Sequence, residues 1–182
     1  VILRIVGLAW LAASLSAQAP APSEAPVKTD PWLPVRALLG SWEGDATGEP
    51  GTGKSERTYR LTLSDRFVQV DNRSTYPPQE KNPKGEVHED VGFLSYDKAA
   101  QRLVLRQFHG EGFVSHYVLD SVSADGRTLV FTTIAIENIA AGWKGRETCR
   151  IVDDDAFVET FALAEPGKDF VTYSETRFRR KR

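Results

Sequence analysis

Cysteine is almost missing from this chain. Its 182 residues include one, Cys149, so no intrachain disulfide can staple the fold. Stability must then come from a buried core, which a chain of this length can supply unaided. Cys149 sits in the strand-like run Arg146-Glu147-Thr148-Cys149-Arg150-Ile151, with no histidine nearby, and reads as a small core residue rather than a nucleophile. An excess of one charge sign is also missing. Lys plus Arg number 23 and Asp plus Glu 25, a net charge of -2, so no basic field draws nucleic acid to the surface. The basic run Arg179 to Arg182 reads as a solvated chain end. Apolar runs are short: the longest, Ile5 to Leu15, falls well below the roughly 20 residues of a membrane-spanning helix. There are only three histidines, with no H-x-H or H-E-x-x-H spacing, so no dedicated zinc site is expected. No strand–helix–strand unit is visible, which excludes a parallel α/β sheet.

What is present begins with a leader. Arg4, the apolar run and Ala17-Gln18-Ala19 form the charged, apolar and cleavage regions of a signal peptide over residues 1–19. No cysteine follows to carry a lipid anchor. Residues 20–30, rich in Pro, Ala and Ser, read as a disordered linker. The expected mature protein is secreted or periplasmic, without stable membrane insertion.

From residue 31 to 182 the pattern is that of one domain. Trp32, Val35, Leu38 and Leu39 share a helical face, predicting a short helical lid over Pro31 to Leu39. After Gly40 come about ten strands with turn residues between them: Ser41 to Gly48, Glu56 to Leu63, Phe67 to Thr75, Val91 to Tyr96, Arg102 to His109, Phe113 to Asp120, Thr128 to Glu137, Arg146 to Val152, Phe157 to Leu163 and Phe170 to Phe178. Pro77 to Glu89 reads as the longest loop. Regular spacing and consecutive hairpins predict an all-β, ten-stranded antiparallel up-and-down barrel, wide enough for an internal cavity.

Gly48-Glu49-Pro50-Gly51-Thr52-Gly53-Lys54-Ser55 matches the phosphate-loop spacing G-x-x-x-x-G-K-[ST]. That loop works only between a buried strand and a helix N-terminus. Here the following residues alternate with period two, so the stretch reads as a hairpin turn. Asn72-Arg73-Ser74 is a glycosylation sequon by spacing alone.

The candidate ligand-binding residues are Arg106, His109, His116, Tyr117, Tyr173 and Arg177. His109 and His116 flank the Gly110-Glu111-Gly112 turn. A two- or four-residue loop puts both on one face, and a three-residue loop puts them on opposite faces. Tyr173 and Arg177 fall on one face of the last strand by parity. An inward arginine with a tyrosine would hold a ligand carboxylate in an apolar cavity. His88, in the long charged loop, reads as solvated. No catalytic set assembles: Ser115 and His116 are neighbours in sequence and so face opposite ways, and the paired acids fall in loops.

Leu38-Leu39-Gly40-Ser41-Trp42-Glu43-Gly44, with Gly48, resembles the opening of calycin barrels, the lipocalins and fatty-acid-binding proteins. It looks most like the nitrobindin-like haem-binding barrels, and Asn72 to Tyr96 looks like exported bacterial proteins of that kind. The resemblance implies that Trp42 plugs one barrel end beneath a late-strand arginine, Arg177 or Arg179. It also implies a haem-ligating histidine on the last strand. That strand has none, and Tyr173 or Thr172 stands near its place. A tyrosine can ligate haem iron.

Three functions follow. The first is an exported barrel holding a small hydrophobic or amphipathic ligand, with no metal. The second is a haem protein acting on nitrogen oxides, with His109, His116 or Tyr173 as axial ligand. The third is an enzyme of another type or an interaction module with a filled barrel, its protein partner unknown.

Overall fold

The computed structural model describes residues 30–182, so the expected signal peptide and nearly all of the linker lie outside the described residues. Ten strands follow in chain order: β1 Gly40–Gly48, β2 Gly51–Thr62, β3 Phe67–Tyr76, β4 Glu86–Asp97, β5 Arg102–His109, β6 Val114–Val122, β7 Thr128–Glu137, β8 Lys144–Asp153, β9 Ala156–Ala164 and β10 Val171–Arg180. Each pairs antiparallel with its neighbour in sequence, and β1 closes on β10. The up-and-down barrel expected from the hairpin pattern is therefore the fold. Closure leaves no strand edge unpaired. No helix among the described residues is long and apolar enough to cross a membrane.

Period-two alternation fills the lower half. Trp42, Tyr59, Val68, Val70, Leu94, Leu105, Leu129, Phe131 and Phe157 point inward and form one buried cluster. The void left among them is about 10 Å³. That is room for a single water at most.

The lid is a 3-10 helix, Leu33–Leu38, and it closes this packed end. It buries Val35 and Leu38, and Trp32 Nε1 donates to Asp65 O in the β2–β3 turn at 3.0 Å. Trp42 is 1% exposed and donates Nε1 to Leu38 O at 2.7 Å. The arginine over its ring is Arg180, with its guanidinium carbon 4.1 Å from the ring centroid. This corrects the expectation of Arg177 or Arg179. On β10 the inward positions include Phe178 and Arg180, and those two arginines face solvent.

The glycine-rich stretch is the β1–β2 hairpin. Gly48 pairs with Gly51 across Glu49-Pro50, and the chain continues as strand rather than helix. Gly51 has φ +101°, and a Cβ there would lie 2.2 Å from Gln79 Oε1. Gln79 brackets the next residue, accepting from Thr52 N at 2.8 Å and donating to Thr52 O at 2.9 Å. The glycines serve a tight turn and a side-chain brace, so no phosphate is needed to explain them. Asn72 of the sequon points inward and is buried, out of reach of glycosylation in the folded barrel.

Candidate functional site

The upper half of the barrel is hollow. A cavity of about 380 Å³ opens at the end formed by the β1–β2, β3–β4, β5–β6, β7–β8 and β9–β10 connections, opposite the 3-10 helix. The filled-barrel expectation is thus met only below. Phe113, Ile136, Ile139, Trp143, Phe161 and Leu163 form an apolar wall near the mouth. The floor is polar, made by Arg57, Asn72, Asp90, Gln107, Glu147 and Glu159.

Three of the sequence candidates, His109, Tyr117 and Tyr173, line this cavity. Arg106, His116 and Arg177 do not. His109 N donates to Phe113 O at 3.1 Å across Gly110-Glu111-Gly112, and His116 pairs with Arg106, three residues from His109, so the two histidines face opposite ways. His116 points outward to Glu137 at 2.7 Å. Arg106 is exposed and reaches Ser95 Oγ at 3.3 Å. Arg177 is exposed and bonds Glu175 at 2.8 Å. A bulge between Thr172 and Ser174 shifts the phase of β10, so Tyr173 turns to the mouth while Arg177 does not.

His88 is a second correction. The expected loop ends early, β4 begins at Glu86, and His88 alternates inward with Asp90. Its Nδ1 lies 2.7 Å from Glu111 Oε1, and its Nε2 lies 3.4 Å from Asp90 Oδ2. The hydrogen bond to Asp90, against the cost of burial and with help from Glu111, raises the His88 pKa to about 9. Burial works to raise Asp90, but His88 and Arg57 hold it below the ordinary carboxylate value. His109 stacks on Phe113 with centroids 4.0 Å apart, and burial lowers its pKa.

The residues that sequence reasoning missed are the ionisable ones of the floor. Arg57 pairs with Glu159, and both are buried. It donates to Asn72 Oδ1 through Nε at 3.2 Å and Nη2 at 3.1 Å, and through Nη1 to Tyr59 Oη at 3.3 Å. Asn72 in turn donates to Asp90 at 2.8 Å. Each of the three acids near this arginine shares parity with a core neighbour: Leu94, four residues on, for Asp90, and Cys149 and Phe157, each two residues away, for Glu147 and Glu159. Cys149 is buried as expected, its thiol 3.7 Å from Glu159 Oε2.

Burial, reinforced by the Glu159 charge, pushes Glu147 up to about 8 from an ordinary 4.5. The folded state then keeps a proton that the unfolded chain has released. Stability should fall as pH rises from about 4.5 to about 8 and level off above. Glu147→Gln mimics the protonated carboxyl. Its melting temperature should match the parent near pH 4.5 and exceed it at pH 9. Scanning fluorimetry across that range checks this, and a shift independent of pH would contradict the assignment.

No protein-family model matches the sequence, and no curated protein matches it significantly. Solved structures do. The crystal structure of Rv2717c from M. tuberculosis superposes with a TM-score of 0.62 at 17% identity, covering 87% of this chain and 99% of that one. The fold is that of the calycin barrels. The S-type phycobiliprotein lyase CPES from Guillardia theta aligns at TM-score 0.49 and 13% identity, over 80% of this chain and 89% of the lyase.

Haem, which the fold resemblance brings in, does not suit these residues. Its propionates need cationic partners. The one arginine lining the cavity among the described residues is already committed to Glu159, among further buried acids. Tyr173, near the place of the last-strand ligand, packs edge-on to Phe161 with centroids 6.0 Å apart.

Proposed function

We propose that this barrel is an exported binding protein for a small amphipathic molecule whose polar end carries hydrogen-bond donors, an amine or a hydroxyl. The observation that carries the reading is the layered cavity: apolar wall at the mouth, acid-rich floor beneath. Pockets of a few hundred Å³ with an apolar lining and a few placed polar groups are the usual form of small-molecule sites. A carboxylate head, the occupant expected from an inward Arg106 or Arg177, fits poorly. Arg57 is neutralised by Glu159, whereas Gln107 Oε1 is buried and lacks a donor among the described residues. A ligand N–H or O–H can supply one. Export rests on the leader pattern over residues 1–19.

The test uses two dansyl-tagged alkyl probes of equal chain length, one ending in an amine and one in a carboxylate. Trp143 at the mouth serves as energy donor. The amine should bind about tenfold or more tighter, the scale of one charge-assisted hydrogen bond. Leu163→Asp, which places a charge on the apolar wall, should weaken both probes about tenfold. No binding of either, or a preference for the carboxylate, would refute the reading.

A further inference from the structure

We propose that His88, His109 and Glu111 form a binding site for one late first-row divalent metal ion, such as zinc, at the rim of the cavity. One potential ligand atom from each lies within 4.8 Å of the other two. His88 Nδ1 and Glu111 Oε1 are already 2.7 Å apart. Tetrahedral zinc holds nitrogen and oxygen ligands about 3.3 Å from one another, so small side-chain rotations close the set.

The outer partners fit a metal site as well. A ligating histidine commonly gives its second ring nitrogen to a carboxylate or another acceptor, which fixes the tautomer and aims the first. Here His88 Nε2 is held by Asp90 at 3.4 Å, and His109 Nε2 by Ser115 Oγ at 3.2 Å. In each ring that leaves Nδ1. In His88 it faces Glu111, and in His109 it is buried with no hydrogen-bond partner among the described residues. An unpartnered buried imidazole nitrogen is costly unless something binds it. The surrounding acids Glu86 and Asp90 favour positive charge at this rim.

The chemistry of two imidazoles and one carboxylate selects zinc and its neighbours over magnesium or calcium, which prefer oxygen alone. Three protein ligands leave the remaining positions to water or to a cavity occupant. The sequence hid the site because its ligands come from β4 and from the tip of the β5–β6 hairpin, with no local spacing to detect.

The decisive experiment is titration of the untagged, chelator-treated full chain with cobalt(II), read by visible d–d absorption, and with zinc by calorimetry. One ion per chain is expected, at micromolar affinity or tighter. Glu111→Gln, in an exposed turn where it cannot unfold the barrel, should weaken binding at least tenfold, as should His109→Ala. His116→Ala, on the outer face, should leave it unchanged. Absence of binding, retention of full affinity in Glu111→Gln, or equal loss in His116→Ala would each overturn the site.

Discussion

Trp42→Ala is expected to cost about 3–5 kcal/mol of unfolding free energy, the range for truncating a fully buried tryptophan. The ring is 1% exposed and packs edge-on against Phe157 with centroids 4.8 Å apart. Its loss also leaves the Leu38 carbonyl without its donor. The clamp above it comes undone in part. Arg180 spans the ring while donating to Leu39 O at 2.7 Å and Ala37 O at 3.2 Å, tying the 3-10 helix to the last strand. Trp42→Phe keeps most of the volume and should lose about 1–2 kcal/mol, the scale of an unmade buried hydrogen bond. Urea unfolding measures both. Because the cavity opens at the other end, probe affinity in the folded protein should stay unchanged. A cost below about 1 kcal/mol for the alanine variant would mean that the plug is not structural.

The lower barrel was legible in the sequence, and the upper barrel was not, for one physical reason. Alternation betrays a strand when its inward side chains are apolar. Arg102–His109 and Thr128–Glu137 show this, and their expected bounds match the strands. Above the packed core the inward residues of the early strands are polar. β2 reaches back to Gly51 and β4 to Glu86, past the starts expected at Glu56 and Val91, through stretches holding Ser55, Glu86, His88 and Asp90. Such stretches read as loop, and only the neighbouring strands of the closed barrel reveal them as sheet. The site therefore occupies the part of the chain where the folding signal fades, as expected where function departs from packing rules. Arg57 and Glu159 could have been found. They lie two residues from Tyr59 and Phe157, and parity alone places them inside. Tyr173 and Arg177 misled for the opposite reason: a bulge breaks parity, and no residue type announces it.

Arg57→Met should destabilise the barrel by about 3–5 kcal/mol, because it strands a buried carboxylate. Glu159 would lose its only strong counter-charge while facing Glu147 and Asp90 in the same floor. Asn72 would lose the two donors that aim it at Asp90. The defect should be worse at pH 8 than at pH 5, since an unpaired buried acid regains stability by taking a proton. Adding Glu159→Met to Arg57→Met should recover most of the loss, since replacing both members of a buried pair by apolar residues is often close to neutral. The coupling energy from that cycle should then reach several kcal/mol, beyond the roughly 0.5 kcal/mol of independent sites. If the two losses simply add, Arg57 is held by Asn72, Tyr59 and Phe178 rather than by its charge partner, and the floor owes its polarity to hydrogen bonding instead of to an ion pair.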